Sequence, residues 1–255
     1  MARSGYLEYG GNTSCFSVDY GGGIVVFDGG TGLIQLGERL AGGGHKRVDL
    51  FFSHVHLDHI MGLAGFSALH DPEMDIHLYG EARDGVSFRK QLETVLGPPY
   101  WPLGLTDFRA NIRVHELEPD ARVGLGADGG VTVSAMRGNH PNQSLLYRME
   151  SPEHSVVYAL DCEMDEVTFH RLARFAKGAD VLVWDASYTR EDLARRPGWG
   201  HSSWEQGAAL ARKAGVKAAL MAHYASEYTD GFLHELERQA GGAVRFAREG
   251  MEIVL

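Results

Sequence analysis

The chain of 255 residues has few of the features that mark secreted or membrane-spanning proteins. It contains only two cysteines, Cys15 and Cys162, which argues against a disulfide framework and fits a reducing compartment. Residues 1–10 lack the apolar core of a signal peptide, and no stretch reaches the roughly 18 apolar residues that a membrane span needs. We therefore expect a cytoplasmic protein that makes no contact with a membrane.

Positive charge is also scarce. The chain carries 24 Lys and Arg against 34 Asp and Glu, a net charge of −10 at pH 7. An acidic chain repels nucleic acid phosphates unless a local basic patch compensates, and no run of Lys and Arg is present. The charge therefore argues against nucleic acid as a partner. A homodimer is compatible with the sequence.

Glycine, by contrast, is abundant at 33 of 255 residues, roughly twice its usual share of about 7%. The glycines gather between apolar runs, which predicts many tight turns between short strands. The predicted strands are Cys15–Asp19, Ile24–Phe27, Val48–Phe52, Ile76–Tyr79, Val131–Ala135, Ser144–Arg148, Ser155–Leu160, Val181–Trp184 and Val216–Met221. The predicted helices are Gly32–Leu40, His59–Leu69, Val86–Val95, Glu166–Phe175, Ser203–Ala214 and Gly231–Ala240. This order predicts two packed sheets with helices outside, in one domain over residues 1–255.

The loop Gly97–Gly104 cannot continue a helix, because its three prolines lack a backbone donor and restrict the backbone. It presents Tyr100 and Trp101 on a stiff segment. Two interpretations are open: Trp101 packs into a core, or both aromatics form a wall of a substrate cleft.

The strongest chemical signal is the run His54-Val55-His56-Leu57-Asp58-His59, which directly follows a predicted buried strand. His54 and His56 are two residues apart and point the same way in an extended segment, whereas Asp58 and His59 follow where the chain turns into a helix. Imidazole nitrogen and carboxylate oxygen suit zinc, manganese or iron. So many ionisable groups at the end of a buried strand would be costly without a cation, and the run therefore predicts a site for two metal ions.

This HxHxDH pattern resembles the signature of the metallo-β-lactamase fold superfamily. The resemblance implies an α/β (α+β) protein, a four-layer αββα sandwich of two mixed β-sheets with two divalent transition-metal ions at one edge. We expect zinc first, with manganese or iron as alternatives. Later strand ends match the remaining ligands, which are His140, Asp161 and His223. The implied ligands are His54, His56, His140 and Asp161 for metal one, and Asp58, His59, His223 and Asp161 for metal two.

The remaining histidines lie outside these motifs, and we interpret them as surface or packing residues. They are His45, His70, His77, His115, His154, His170 and His234.

Finer motifs resemble the phosphodiesterase branch of this superfamily, which includes ribonuclease Z, cyclic-nucleotide phosphodiesterases and the phosphoribosyl cyclic phosphate phosphodiesterase. The motifs are Gly10–Cys15, Phe27–Gly32, Trp184–Thr189 and Gly198–Ser203. In that branch an acidic residue and a histidine assist phosphodiester cleavage, and Asp185 and His201 match their positions. The alternative for His201 is a histidine at a helix N-terminus, beside a capping Ser202 or Ser203.

Two departures bear on the substrate. Ribonuclease Z proteins carry a glycine- and proline-rich arm that grips tRNA, and the phosphoribosyl enzyme carries a cysteine-rich structural metal site. This sequence has no matching insertion and only two cysteines. We therefore expect a small phosphodiester substrate, with cyclic phosphodiesters included.

The resemblance implies that a hydroxide supplied at the two metals attacks phosphorus, that Asp58 orients it, and that His201, held by Asp185, protonates the leaving alkoxide. The alternatives are a lactone, ester or thioester hydrolase with the same site, and a ribonuclease Z-like endonuclease. A diiron oxidoreductase is disfavoured, since such proteins typically have glutamate at the position of His56. A binding or accessory protein that has lost catalysis is disfavoured by the complete ligand set.

Overall fold

The computed structural model describes residues 4–41, 43–126 and 129–255. Its contacts divide the chain into two compact units. The N-terminal unit comprises Thr13–Ala121 and Leu125–Gly130, and the C-terminal unit comprises Met1–Asn12, Arg122–Gly124 and Val131–Leu255. The single domain expected for residues 1–255 stays a prediction.

The N-terminal unit is built on a five-stranded sheet in the order β1-β2-β3-β4-β5. The strands are β1 (Phe16–Asp19), β2 (Ile24–Phe27), β3 (Arg47–Phe51), β4 (Asp75–Glu81) and β5 (Asn111–Leu117). The β1–β2 pair is antiparallel and the other pairs are parallel, so the sheet is mixed. The helices are α1 (Gly32–Leu40), α2 (Leu57–Ile60) and α3 (Phe88–Val95), with 3₁₀ turns at Met61–Gly65 and Ser67–His70.

Helix α1 shows how this unit acquires its core. It buries Leu33, Leu36 and Leu40, whose spacing of three and four residues places them on one helical face. This face packs in one hydrophobic cluster with Val48 and Leu50, which alternate along β3 and so share one side of the sheet.

The C-terminal unit is built on a seven-stranded sheet in the order β12-β11-β10-β9-β8-β7-β6. The strands are β6 (Arg122–Leu125), β7 (Val131–Gly138), β8 (Ser144–Glu150), β9 (Ser155–Ala159), β10 (Val181–Asp185), β11 (Ala218–Ala222) and β12 (Arg245–Phe246). Strands β9 to β12 are parallel and β7 to β9 antiparallel, so this sheet is also mixed. The helices are α4 (Glu166–Phe175), α5 (Arg190–Leu193), α6 (Trp204–Ala214) and α7 (Asp230–Ala240).

Helix α6 begins and ends at recognisable capping residues. Ser203 and Gln206 form a capping box at its start, and Gly215 takes the left-handed conformation after its end. Gly207 lets this helix approach β10 closely, because a Cβ atom there would lie 2.4 Å from the Trp184 ring. The capping box sets where α6 begins, directly after the loop that carries His201.

The α/β class and the two mixed sheets with flanking helices are confirmed, and every predicted strand is present with its ends shifted by a few residues. The prediction of one helix over His59–Leu69 is wrong, because α2 ends at Ile60 and gives way to 3₁₀ turns. The amide of Gly62 donates to Gly29 O at 2.9 Å, and a Cβ atom at Gly62 would lie 1.9 Å from Gly30 O. Close contact with a distant backbone segment therefore replaces the helical hydrogen bond.

Four short or polar elements were not predicted from the sequence: β5, β6, β12 and α5. Strand β5 mixes polar and apolar residues, whereas β12 has two residues and α5 has four. Within the described ranges, no helix is long and apolar enough to cross a membrane. The cytoplasmic location stays a prediction.

The structure separates the two aromatics of the loop Gly97–Gly104. Tyr100 is 74% exposed, whereas Trp101 packs against the hydrophobic cluster of the N-terminal unit. Packing of Trp101 against a core is therefore confirmed, and a wall of a cleft formed by both residues stays a prediction.

We expect Trp101→Ala to lower the free energy of unfolding by about 2–4 kcal/mol, because it removes a large side chain from a packed cluster. Tyr100→Ala is the matched control and should change stability by at most about 0.5 kcal/mol, as is usual for exposed positions. Urea unfolding followed by circular dichroism measures both values. Equal effects in the two variants would contradict the packing role.

Candidate metal centre

Three imidazoles of the N-terminal unit converge after β3. His56 is extended and is the N-cap residue of α2, which places Asp58 and His59 in the first turn of the helix. The His54 ring centroid lies 4.2 Å from that of His56 and 4.3 Å from that of His59. Asp58 Oδ2 lies 3.2 Å from His59 Nε2. The predicted run is therefore gathered into one group.

Two buried polar residues orient these rings. Asp28, which directly follows β2, has Oδ2 2.7 Å from Nδ1 of His59, and Ser53 Oγ lies 2.9 Å from Nδ1 of His54. Asp28 also accepts from the amide of Ser53 at 2.7 Å and from its hydroxyl at 2.8 Å. With Nδ1 held, both imidazoles would coordinate a metal through Nε2, and carboxylates in this supporting position are typical of metal-bound histidine.

The C-terminal unit gathers a second group because β9, β10 and β11 are parallel neighbours. Asp185 is the last residue of β10 and lies opposite Ala222, the last residue of β11. His223 follows β11 directly, and Asp161 lies two residues beyond the end of β9. Since the carboxyl ends of parallel strands meet at one edge, these side chains meet there, together with His201. The four ligand atoms offered by Asp161, Asp185, His201 and His223 lie within 4.8 Å of one another.

Asp161 lies between two histidines of this unit. Its Oδ1 is 3.8 Å from Nε2 of His140, and its Oδ2 is 3.4 Å from Nε2 of His223. Nδ1 of His140 donates to Gly200 O at 2.9 Å, and Nδ1 of His223 lies 2.9 Å from Ser187 Oγ. Both rings therefore turn Nε2 toward one carboxylate, as expected for a carboxylate shared by two metal ions. Burial lowers the pKa of His140, which favours the neutral form that a metal binds.

Asp185 and His201 form a closely held pair. Asp185 is fully buried, and its Oδ2 lies 3.0 Å from Nδ1 of His201 and accepts from the amide of Asp161 at 3.1 Å. Its Oδ1 accepts from the amide and the hydroxyl of Ser187 at 3.0 and 2.7 Å. Burial alone would lower the pKa of His201, but the hydrogen bond to Asp185 and the charge of that carboxylate outweigh burial and raise it.

The alternative interpretation, in which His201 is a histidine at a helix N-terminus beside a capping serine, is partly correct. Ser203 caps α6, as that alternative required. Ser202 instead donates to Cys162 O at 2.5 Å, and His201 itself contacts Asp185. Ser203 therefore caps the helix, whereas His201, two residues earlier, pairs with Asp185.

The loop Gly198–Gly200 supports His140, a role that was not predicted from the sequence. Glu163 accepts hydrogen bonds from the amides of Gly198 at 3.0 Å and Gly200 at 2.9 Å. Both glycines have positive φ, 78° and 83°. A Cβ atom at Gly200 would lie 2.2 Å from Nδ1 of His140, so only glycine fits beneath that ring. The sequence signal was the pair of glycines around Trp199.

The expectation for the other histidines can be checked for those whose contacts are clear. His77 and His115 stack at 5.0 Å between ring centroids, and their ring nitrogens lie 2.9 Å apart. His45 pairs with Asp19 and His234 with Glu8, both at 2.9 Å. These residues pack or form surface pairs, as predicted.

The Beta-lactamase superfamily domain model matches residues 11–224, and the chain therefore belongs to this family. Ribonuclease Z from Methanosarcina acetivorans is 25% identical, over 90% of this chain and 90% of its own length. Ribonuclease Z from Thermoplasma volcanium is 25% identical, over 71% of each. The predicted resemblance to the phosphodiesterase branch of the metallo-β-lactamase fold superfamily is thereby confirmed, and the chain is a hydrolase of that fold.

Solved structures agree on the fold. A diphosphatase from the PhnP family superposes with a TM-score of 0.70 at 19% identity, covering 95% of this chain and 84% of that one. Human tRNase Z, short form, superposes with a TM-score of 0.69 at 20% identity, covering 95% of this chain and 92% of that one. Several relatives are named ribonucleases, which conflicts in part with our expectation that nucleic acid is not a partner.

We expect Gly200→Ala to reduce metal content, because the added Cβ would push the His140 ring from its position. Gly198→Ala is the matched control: its φ is also positive, but a Cβ atom there meets nothing within 4 Å. Both variants should lose about 1–2 kcal/mol of stability through left-handed backbone strain. Only Gly200→Ala should lose metal in elemental analysis after dialysis. Equal metal loss in both would contradict the role of Gly200.

We expect Asp28→Ala to weaken metal binding by about 10- to 100-fold, the usual effect of removing a carboxylate that orients a metal-bound histidine. Competition with a chromophoric chelator measures the affinity. Glu73→Ala is a suitable control, because Glu73 is exposed and pairs with Lys46 at the surface. An unchanged metal affinity in Asp28→Ala would contradict a role of Asp28 in orienting the His59 ring.

Proposed function

We propose that the chain is a phosphodiesterase that depends on two divalent metal ions, with zinc expected first and manganese or iron as alternatives. The proposed ligands are His54, His56, His140 and Asp161 for metal one, and Asp58, His59, His223 and Asp161 for metal two. The donor set supports this assignment, because imidazole nitrogens and carboxylate oxygens are what these ions prefer. The assignment is further supported by hydrogen-bond contacts at Nδ1, which leave Nε2 for a metal. They occur in His54, His59, His140 and His223.

When bound, two such ions supply a hydroxide nucleophile near neutral pH and offset the negative charge that develops on the phosphate oxygens. The protein must then orient the nucleophile and deliver a proton to the leaving alkoxide. Asp58 is suited to the first task, because its side chain is partly exposed beside the buried His59. His201 is suited to the second.

The contact between His201 and Asp185 is the observation that carries this proposal. Asp185 holds Nδ1 of His201, so the opposite nitrogen, Nε2, is the atom that would donate to the leaving oxygen. Asp185 is itself fixed by Ser187 and the amide of Asp161, so it orients the imidazole and stabilises its protonated form. A lactone, ester or thioester hydrolase has less need of such a pair, which is why we rank that alternative lower.

For the substrate we propose a small phosphodiester, with cyclic phosphodiesters included. The net charge of −10 and the absence of a tRNA-gripping insertion in the sequence support it. A ribonuclease Z-like endonuclease is the second candidate, and it is favoured by the relative that aligns over 90% of this chain. Both candidates use the same chemistry and differ in the size of the leaving group.

We expect His201→Ala to slow an alkyl or nucleoside phosphodiester by about 10²–10⁴-fold, the usual range for general acid catalysis. A nitrophenyl phosphodiester should slow far less, because nitrophenolate leaves without a proton. Steady-state kinetics on both substrates, with metal content measured in parallel, tests this. Equal slowing with metals retained would mean that His201 binds phosphate instead of donating a proton.

Asp185→Asn provides the companion measurement. It should slow the alkyl phosphodiester and also weaken metal binding, because the same carboxylate accepts from the amide of the proposed ligand Asp161. Retained metal affinity together with full activity would remove Asp185 from the proposed machinery.

We expect metal-loaded protein to cleave small phosphodiesters and to leave precursor tRNA largely intact, because a net charge of −10 disfavours a polyanion. A panel of phosphodiesters, lactones, thioesters and precursor tRNA, assayed at several salt concentrations, separates the candidates. Efficient processing at the tRNA 3′ end would favour the ribonuclease candidate, and lactone or thioester turnover alone would contradict both.

A further inference from the structure

One large aromatic side chain stands exposed next to the proposed general acid. Trp199 is 57% exposed and lies two residues before His201 in the chain. Two residues span at most about 7 Å of chain, so both residues belong to one short loop. Tryptophan side chains are buried for most of their surface on average, so more than half of this indole is unusually open to solvent.

The loop that presents Trp199 is held firmly. Gly198 and Gly200 flank it in left-handed conformations, and both of their amides donate to the carboxylate of Glu163. The amide of Trp199 itself donates to Arg196 O at 3.3 Å. A rigid aromatic loses little conformational entropy when a ligand binds, so this loop is well suited to present a flat surface.

Rings and a guanidinium form a continuous row from His201 to Trp199. The rings of Tyr188 and His201 meet edge to face at 5.9 Å between centroids. The guanidinium carbon of Arg196 lies 4.5 Å from the Tyr188 centroid and 5.7 Å from the Trp199 centroid. The row therefore links the ring of the proposed general acid, through Tyr188 and Arg196, to the exposed indole.

Arg196 serves this row as a support and is already ion-paired. Its guanidinium contacts Glu227 Oε1 at 3.0 Å, donates to Asp192 O at 3.1 Å and lies 3.8 Å from Asp192 Oδ1. Its charge is therefore largely neutralised, which disfavours binding of a second phosphate. What the row offers to a ligand is the face of the indole.

We propose that Trp199 is a stacking platform for the nucleobase of the leaving group, so that the substrate is a nucleoside phosphodiester. This assignment of substrate class rests on the proposed function for the bond that is cleaved, but the base-binding site can be tested without turnover. Stacking of a base on an aromatic side chain is largely indifferent to the identity of the base. Adenine and pyrimidine nucleosides should therefore both bind.

The first test measures binding to metal-loaded protein. Adenosine 5′-phosphate and ribose 5′-phosphate share the phosphate and the sugar and differ only in the base. We expect the wild-type chain to bind the nucleotide about 5- to 100-fold more tightly by calorimetry, the range expected from one stacked base. Trp199→Leu should abolish this preference and leave the affinity for ribose 5′-phosphate unchanged.

Two control variants separate stacking from general damage. Trp199→Phe should retain part of the preference, because phenylalanine can still stack. Phe232→Leu removes another exposed aromatic, one that contacts Tyr228 at 4.6 Å, and should bind both phosphates like the wild type. Thermal unfolding of all variants checks that each chain is folded.

The second test measures turnover of adenosine 5′-(methyl phosphate) and its abasic ribosyl counterpart, which release the same kind of primary alkoxide. Trp199→Leu should raise KM for the nucleoside substrate about 5- to 100-fold and leave the abasic substrate unchanged. Loss of the binding preference in Trp199→Leu supports the platform even if neither diester is cleaved, an outcome that would overturn the proposed function alone. Equal affinity of the wild type for both phosphates, or an unchanged preference in Trp199→Leu, overturns the platform even if diesters are cleaved.

Discussion

The buried carboxylate of Asp185 accepts four hydrogen bonds, and the reactive groups of the C-terminal unit depend on them. A charged carboxylate with no exposure to solvent costs several kcal/mol unless donors surround it. Here the donors are the imidazole of His201, the amide of Asp161, and the amide and hydroxyl of Ser187. Each bond that stabilises the buried charge also fixes a group of the site. Because Ser187 in turn contacts His223, the proposed general acid and two proposed metal ligands share one anchor.

The N-terminal unit uses the same arrangement on a smaller scale. Asp28 is buried at the end of β2 and holds His59 directly, and it holds His54 through Ser53. Asp28, Asp161 and His223 each have a positive φ, of 62°, 53° and 61°, and lie one or two residues beyond strands β2, β9 and β11. Such a conformation costs on the order of 1 kcal/mol or more in a residue other than glycine. Three residues of the site, one proposed to support a ligand and two proposed as ligands, therefore keep a strained backbone at the ends of their strands.

Sequence reasoning recovered the parts of the site that are local in the chain. The run from His54 to His59 is visible because four potential ligands fall within six residues after an apolar strand. His140, Asp161, His223, Asp185 and His201 were assigned by family resemblance, and the structure brings Asp161, His223, Asp185 and His201 together at one sheet edge. The helix expected over His59–Leu69 failed for a tertiary reason, since Gly62 bonds to Gly29, more than thirty positions earlier in the chain.

The sequence by itself determined most of the strand pattern and the ligand run from His54 to His59, because apolar alternation and dense histidine motifs are properties of neighbouring residues. The fold family and the later ligands His140, Asp161 and His223 came from the resemblance to a known family. Only the tertiary structure decided which residues support those ligands. Asp28 lies 31 positions from His59, Gly200 lies 60 positions from His140, and Glu163 lies 37 positions from Gly200. Hydrogen bonds between residues so far apart leave no periodic pattern in the chain. They form only when parallel strands bring their ends to one edge, where buried polar groups must find partners.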